Sequence, residues 1–199
     1  MGGAPLADAE KVLIMLHGRG STAQNILRVA DGLNVQDFAL IAPQATNNTW
    51  YPYSFLVPQK QNQPWLDSAL DLLKSLTDEM IEKGILSENI YFIGFSQGAC
   101  LTLEFTARNP RHYGGIVALT GGLIGDEVSA DRYLGDFENT RIFISSGDPD
   151  PHIPVERISE SEEILTGMNA NVRTIIYDQR PHIISNDEIQ KVNEFIFSP

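Results

Sequence analysis

The sequence contains one cysteine, Cys100, among 199 residues. A single thiol excludes an internal disulfide framework and favours a reducing compartment. Cys100 stands near the start of a stretch with helical character, where we expect a small buried core side chain. A reactive thiol is the alternative.

Basic residues are also scarce: 14 Lys and Arg stand against 26 Asp and Glu, for a formal net charge of −12 and a pI near 4.6. Such a charge repels the phosphates of nucleic acids and of anionic membrane surfaces. No apolar run approaches the ~20 residues of a membrane span, and residues 1–10 lack the basic and apolar regions of a signal peptide. We therefore expect a cytoplasmic protein with no nucleic-acid partner and no stable membrane insertion.

The sequence has no internal repeat, and its length suits one domain over residues 1–199. Helical patterns, the clearest over Trp65–Lys83, alternate with six short apolar runs typical of strands covered on both faces. Residues 185–188 form a capping-box signature before a last amphipathic helix. The alternation predicts an α/β fold with a mostly parallel central sheet of about six or seven strands and helices on both faces. The predicted strands are Val12–Leu16, Phe38–Ala42, Ile90–Ile93, Ile116–Leu119, Ile142–Ser145 and Thr174–Tyr177.

The most specific motif is Gly-Phe-Ser-Gln-Gly at residues 94–98, which has the pattern G-x-S-x-G. It follows the apolar run Ile90–Ile93 and precedes a stretch of helical character. A serine at such a strand-to-helix turn exposes its hydroxyl, and the flanking glycines avoid the collisions that a Cβ would cause. We therefore predict that Ser96 is a nucleophile.

A serine hydroxyl is a weak nucleophile at neutral pH, so it needs a base and a group that orients the base. Among the four histidines, His182 follows the predicted strand Thr174–Tyr177 and precedes the last helix, where its side chain is placed to reach over the sheet edge. His182 is the predicted base. His152 lies on another post-strand loop and is its rival, and His112 is expected at the surface.

The orienting acid is expected in residues 145–154, which follow the fifth predicted strand. This segment offers Asp148 and Asp150, and the residues alone leave both open. Asp148 also suits a role in bracing the turn through backbone bonds. If Asp150 is the acid, His152 competes poorly as the base, since neighbours in one tight loop rarely point together at a distant serine.

The oxyanion of a tetrahedral intermediate requires backbone N–H donors. Gln97, directly after Ser96, supplies one at the start of the predicted helix. A second is expected from residues 16–21, Leu-His-Gly-Arg-Gly-Ser, whose glycines permit backbone geometry that aims an amide at the serine. This segment lacks the Lys-Ser/Thr ending of a P-loop and the full G-x-G-x-x-G spacing, which disfavours a nucleotide site.

Taken in order, these motifs resemble the carboxylesterase/phospholipase family of small α/β-hydrolases, which includes the acyl-protein thioesterases. The resemblance is carried by residues 16–20, 94–99, 147–154 and 182–185. It implies the α/β-hydrolase fold, whose chain order of serine, acid and histidine this sequence shares. It also selects Asp150 as the acid, matches the oxyanion donors to the backbone amides of Arg19 and Gln97, and implies no metal and no cofactor.

Two positions depart from the family pattern. Pro181 stands before His182 where glycine is usual, and proline fixes φ and removes an N–H, so we expect a stiffer or shifted histidine loop. Arg19 replaces a residue that is often apolar in acyl-protein thioesterases. Its guanidinium is expected either to favour a carboxylate-bearing substrate or to pair with a surface acid.

Aromatic residues are concentrated in residues 47–58, after the second predicted strand. Trp50 and Tyr51 are candidate substrate-pocket residues, with core packing as the alternative. The loop is short for a lid over a long lipid chain, which favours small or medium esters.

We therefore expect a serine carboxylesterase whose substrates are small-molecule esters. A thioesterase or lysophospholipase that acts on longer acyl chains is the alternative, and a catalytically silent ligand-binding homologue is the alternative from a different class. Nothing in the sequence marks a peptide cleft, which disfavours a peptidase. The oligomeric state stays open between a monomer and a homodimer.

Overall fold

A computed structural model describes residues 2–198, and its centre is a sheet of seven strands in the order β1-β3-β2-β4-β5-β6-β7. All neighbouring strands are parallel except β1, which runs antiparallel to β3. The predicted mostly parallel α/β sheet is therefore confirmed, and each predicted run lies in one of the strands β2 to β7, except that β3 ends at Ile41, one residue before the predicted end. The strands are β1 (Gly2–Gly3), β2 (Lys11–Leu16), β3 (Phe38–Ile41), β4 (Ile90–Phe95), β5 (Gly115–Leu119), β6 (Arg141–Asp148) and β7 (Asn171–Asp178).

Within residues 2–198, six α-helices connect or flank these strands. The predicted helix over Trp65–Lys83 is present, and Gly84 follows it with φ +91°, a left-handed conformation that glycine adopts at little cost. The capping box at the last helix is also present, because Ser185 and Glu188 each bind the other's backbone N–H. The helices are α1 (Ala23–Leu27), α2 (Gln59–Asn62), α3 (Trp65–Glu82), α4 (Gln97–Arg108), α5 (Val155–Gly167) and α6 (Asn186–Phe195).

Side chains that alternate along the strands divide the core into two layers. In β2, Val12 and Ile14 face the layer that α3, α4 and α5 cover, whereas Leu13 and Met15 face the layer that α1 and α6 cover. All four are fully buried, and burial of such a side chain contributes roughly 1.5–3 kcal/mol. Two-sided burial explains why the central strands are continuous apolar runs. The expectation fails for β7, whose residues 172–177 are half-buried because it is the edge strand.

The chain order of the strands places the functional loops together. From β2 the chain moves to β3 on one side of the sheet and later to β4 on the other. A crevice forms at the carboxyl ends of strands where the order reverses in this way, and ligands bind there in open α/β sheets. The loops after β2, β4, β6 and β7 carry the candidate residues.

Cys100 is a free, buried thiol in α4, as predicted, and burial raises its pKa to about 12. A buried thiol that stays protonated is a poor nucleophile, which disfavours the reactive role. Within residues 2–198, no helix combines the length and the apolar character needed to cross a bilayer.

Candidate active site

Ser96 occupies a strained turn between β4 and α4, with φ 54° and ψ −118°. The turn depends on close backbone contacts at two glycines. A Cβ at Gly94 would lie 2.2 Å from the carbonyl oxygen of Gly98, and a Cβ at Gly98 would lie 2.2 Å from that of Leu16. The G-x-S-x-G pattern is thus required sterically, and the turn presents the serine at the end of the strand.

A continuous chain of hydrogen bonds links three side chains at the strand ends. The Oγ of Ser96 lies 2.9 Å from Nε2 of His182, and Nδ1 of His182 lies 2.8 Å from Oδ2 of Asp150. The carboxylate of Asp150 is fully buried, whereas the imidazole is 21% exposed. The arrangement is that of a nucleophile, a base and an orienting acid.

The second carboxylate oxygen of Asp150 is fixed by its own loop. Oδ1 accepts the backbone N–H groups of His152 at 2.9 Å and Ile153 at 3.0 Å. Burial by itself would raise the pKa of Asp150, but these hydrogen bonds and the one from His182 outweigh it, and the pKa lies below its usual value. The carboxylate therefore stays ionised at neutral pH and faces the ring of His182.

The rival residues lie outside this chain of bonds. Asp148 is exposed at the end of β6, and its backbone carbonyl accepts the N–H of Gln179. His152 packs edge-on against His182, with the ring centroids 5.2 Å apart. His112 is exposed and contacts the carbonyl of Glu138. The structure thus places Asp150 and His182, and neither rival, next to Ser96.

The two residues predicted to supply oxyanion donors, Gln97 and Arg19, lie next to Ser96 or to a residue that packs against it. Gln97 is the first residue of α4, so its N–H has no acceptor within the helix. Its side chain is clamped, since Oε1 accepts the N–H of Trp50 at 3.0 Å and Nε2 donates to the carbonyl of Tyr51 at 2.8 Å. Arg19 lies between Gly18, which packs against Ser96, and Gly20, whose φ is +75°. The sequence did not indicate these hydrogen bonds of the Gln97 side chain, because they join residues far apart in the chain.

The two candidate pocket aromatics occupy different places. Tyr51 lines a cavity of about 750 Å³ together with Ser96 and His182. Trp50 does not line this cavity. Its indole is buried and donates to the carbonyl of His17 at 2.8 Å.

His17 is a structural residue that the sequence did not single out. Its Nδ1 lies 2.8 Å from the carbonyl of Gly18, and Nε2 faces the backbone N–H of Ala45 at 3.2 Å and the amide nitrogen of Gln44 at 3.1 Å. A proton on Nε2 would oppose two donors. Burial lowers the pKa of His17, partly offset by the contact with Gly18, so the ring is held neutral.

This neutral ring predicts that stability falls in mild acid. Below the ordinary pKa of 6.5, His17 takes up a proton in the unfolded chain but not in the folded one. The free energy of unfolding therefore decreases as the pH is lowered. The slope from this group is at most about 1.4 kcal/mol per pH unit. We expect urea unfolding between pH about 7.5 and about 5 to show that the free energy of unfolding depends less on pH in His17→Gln than in the wild type, although the variant is less stable at pH about 7.5. Equal slopes would contradict this assignment.

The histidine loop is anchored by a buried ion pair that the sequence also did not indicate. Arg180 lies 2.6 Å from the carboxylate of Glu188, to which Ser145 also donates. A further bond of 2.8 Å joins Arg180 to the hydroxyl of Thr120. These contacts tie the residues just before His182 to β6, to the loop after β5 and to the start of α6. The stiffness expected from Pro181 is thus accompanied by an anchor immediately before it.

A strained serine at the first turn after a central parallel strand, with histidine and aspartate on later loops in chain order, defines an α/β-hydrolase. Comparison with known proteins agrees with this class. The model of the phospholipase/carboxylesterase family matches residues 4–198, and the chain belongs to this family. It is a serine hydrolase of carboxylic esters.

Individual relatives extend this finding. A phospholipase/carboxylesterase from Dyadobacter fermentans, known from a crystal structure, is 56% identical, with a TM-score of 0.97 over 99% of this chain and 94% of that one. Acyl-protein thioesterase 1 of Kluyveromyces lactis is 30% identical over 79% of this chain and 77% of its own length. Acyl-protein thioesterase 1 of Saccharomyces cerevisiae is 27% identical over 97% and 94%.

Proposed function

We propose that Ser96, His182 and Asp150 form a catalytic triad that hydrolyses carboxylic esters through an acyl-enzyme. Nε2 of His182 takes the proton of Ser96 as Oγ attacks the ester carbonyl carbon. The protonated imidazole then gives this proton to the leaving alkoxide, and water, activated by the same histidine, releases the acid. The observation that carries the proposal is the pair of contacts at 2.9 Å and 2.8 Å.

Asp150 and the two backbone amides stabilise charge as it forms. The buried carboxylate stabilises the imidazolium and holds the Nδ1–H tautomer, which leaves Nε2 free to accept the serine proton. The N–H groups of Arg19 and Gln97 would bind the oxyanion, a contribution of about 3–4 kcal/mol for one such donor.

We further propose that the substrates are small or medium esters. The polar side chains of Ser21, Ser54 and His152 share the cavity wall with the apolar Phe55 and Ile153, and a wall of mixed polarity suits short chains better than a long lipid tail. Relatives named acyl-protein thioesterase support the second candidate, hydrolysis of longer acyl thioesters at the same site. Residues 1–199 would act as one domain, in keeping with a single sheet, and the free thiol of Cys100 favours the cytoplasm.

The test is a series of p-nitrophenyl esters from acetate to palmitate. We expect kcat/KM to peak at butyrate or hexanoate and to fall by at least about tenfold at palmitate, because longer chains pass beyond the mixed cavity wall. A maximum at palmitate would instead favour the thioesterase or lysophospholipase alternative. Labelling with a fluorophosphonate separates both outcomes from a catalytically silent homologue, which would leave Ser96 unmodified.

A further inference from the structure

The residues that line the active-site cavity carry a positive charge, although the protein is strongly acidic and the ionised Asp150 contacts His182 from outside this lining. The chain carries a net charge of −12, yet the residues that line this cavity, all within the described range 2–198, include no aspartate or glutamate. Arg19 is the one arginine or lysine among them. An anion that enters the cavity therefore finds one fixed positive charge in the lining, the side chain of Arg19.

The guanidinium of Arg19 is held in place by neutral oxygens. Nη1 donates to Oγ1 of Thr49 at 3.1 Å and to the carbonyl of Pro52 at 2.8 Å, and Nη2 donates to the carbonyl of Tyr53 at 2.7 Å. The group also lies 5.9 Å from the centroid of the Tyr51 ring. These contacts fix its position without neutralising its charge.

Arg19 forms no ion pair with any carboxylate of residues 2–198. The side chain is exposed, so its charge is accessible from solvent. The sequence left two roles open for Arg19, and the structure does not show one of them, an ion pair with a surface acid. An anion that pairs with this guanidinium would therefore come from outside the chain.

The donors that remain on Arg19 match a carboxylate. Both N–H groups of Nη1 and one of Nη2 have partners, which leaves Nε–H and the second Nη2–H. An arginine guanidinium binds both oxygens of a carboxylate through Nε–H and the Nη2–H beside it, which share one edge of the planar group and point in parallel. An uncharged hydrocarbon end of a substrate would form no hydrogen bond with these donors.

We propose that this enzyme selects esters carrying a free carboxylate a few bonds from the scissile carbonyl, and that the guanidinium of Arg19 binds this carboxylate. The proposal rests on the proposed function of Ser96, in which the backbone amide of Arg19 would be one of the two oxyanion donors. The same residue thus holds the reacting carbonyl with its main chain and the remote carboxylate with its side chain. Arg19 is in this sense a determinant of specificity.

The experiment compares two esters of equal chain length, p-nitrophenyl hexanoate and the mono-p-nitrophenyl ester of adipic acid. The ratio of kcat/KM for the anionic ester to that for the neutral ester should exceed about ten, the lower range for a hydrogen-bonded charge. We expect Arg19→Gln to bring the ratio close to one and Arg19→Lys to leave an intermediate ratio. Arg28→Gln removes the same charge from an exposed residue outside the cavity lining and should keep the wild-type ratio.

The ratio of the two kcat/KM values distinguishes recognition of the carboxylate by Arg19 from mere support of the aromatic loop, residues 47–58. If Arg19 only anchored that loop, Arg19→Gln would slow both esters equally and the ratio would not change, which overturns the proposal. A wild-type ratio near one also overturns it, unless a third ester with its carboxylate on the nitrophenyl ring gives an Arg19-dependent ratio, which would place the carboxylate on the alcohol side.

Two further measurements keep the outcomes distinct. Adipate should inhibit the wild-type enzyme competitively at least about tenfold more tightly than hexanediol, a comparison that needs no variant. Equal inhibition by the two would contradict the proposal. Absence of Ser96-dependent hydrolysis of all three esters would instead overturn the proposed function.

Discussion

Replacement of Ser96 by alanine should lower kcat/KM for p-nitrophenyl butyrate by about 10⁵- to 10⁶-fold, the effect of removing the nucleophile from a triad. The reason is that no other hydroxyl contacts Nε2 of His182 among the described residues. The fold should be retained, because the strain at this turn arises in the backbone, which the substitution leaves in place. Initial rates with the p-nitrophenyl ester, together with circular dichroism, measure both quantities.

Ser21→Ala is the matched control. Ser21 also lines the cavity, but its hydroxyl contacts the side chain of Asn25 and not His182. We expect a change below about tenfold for this variant, since no proton transfer passes through it. Substantial hydrolysis by purified Ser96→Ala, or fluorophosphonate labelling that survives in it, would remove Ser96 from the mechanism.

Local sequence patterns were sufficient for most of the fold. Strands β2 and β4 to β6 are buried on both faces, so each is a run of apolar residues that contrasts with its flanks. β1 could not be predicted, because Gly2 and Gly3 pair with β3 through backbone bonds and carry no hydrophobic signal. The half-burial of β7 follows from its edge position, which the sequence of one strand does not contain.

The site was predictable where its chemistry requires a local pattern. Gly94 and Gly98 are required by contacts within a single turn, so they identify Ser96 without any knowledge of the rest of the chain. The choice between Asp148 and Asp150 needed the family resemblance, since two aspartates in one loop differ only in the direction of their carboxylates. The sequence likewise left two roles open for Arg19, because the carbonyl groups of Pro52 and Tyr53 that hold it come from a loop 33 and 34 residues away.

The anchors behind the site could not be predicted at all. In the ion pair of Arg180 and Glu188, Arg180 also donates to Thr120 and Glu188 also accepts from Ser145. These residues belong to different elements and share no sequence pattern. His17 stands in a motif that indicated an oxyanion loop, and its partners Gln44 and Ala45 follow the next strand. Such networks depend on the assembled strand ends, where residues distant in the chain meet.

Asp150→Asn should lower kcat by about 10⁴-fold with little change in KM, because the wrong imidazole tautomer results. One oxygen of the side chain accepts the backbone N–H groups of His152 and Ile153, and these donors demand an oxygen in asparagine as well. The amide NH₂ of asparagine is then directed at Nδ1 of His182, which has to accept a hydrogen bond. The proton of the neutral ring moves to Nε2, where it blocks transfer from Ser96.

Asp148→Asn is the matched control, two residues earlier at the end of β6. Its side chain is exposed at the end of β6 and takes no part in the chain of bonds to His182, so kcat should stay within about threefold of wild type. Steady-state kinetics of both variants with p-nitrophenyl butyrate decide between the two carboxylates. A large loss in Asp148→Asn together with a small one in Asp150→Asn would transfer the role of the acid to Asp148. A large loss in Asp150→Asn alone ties catalysis to the tautomer of His182, since this substitution changes a hydrogen-bond donor pattern while keeping the size of the side chain.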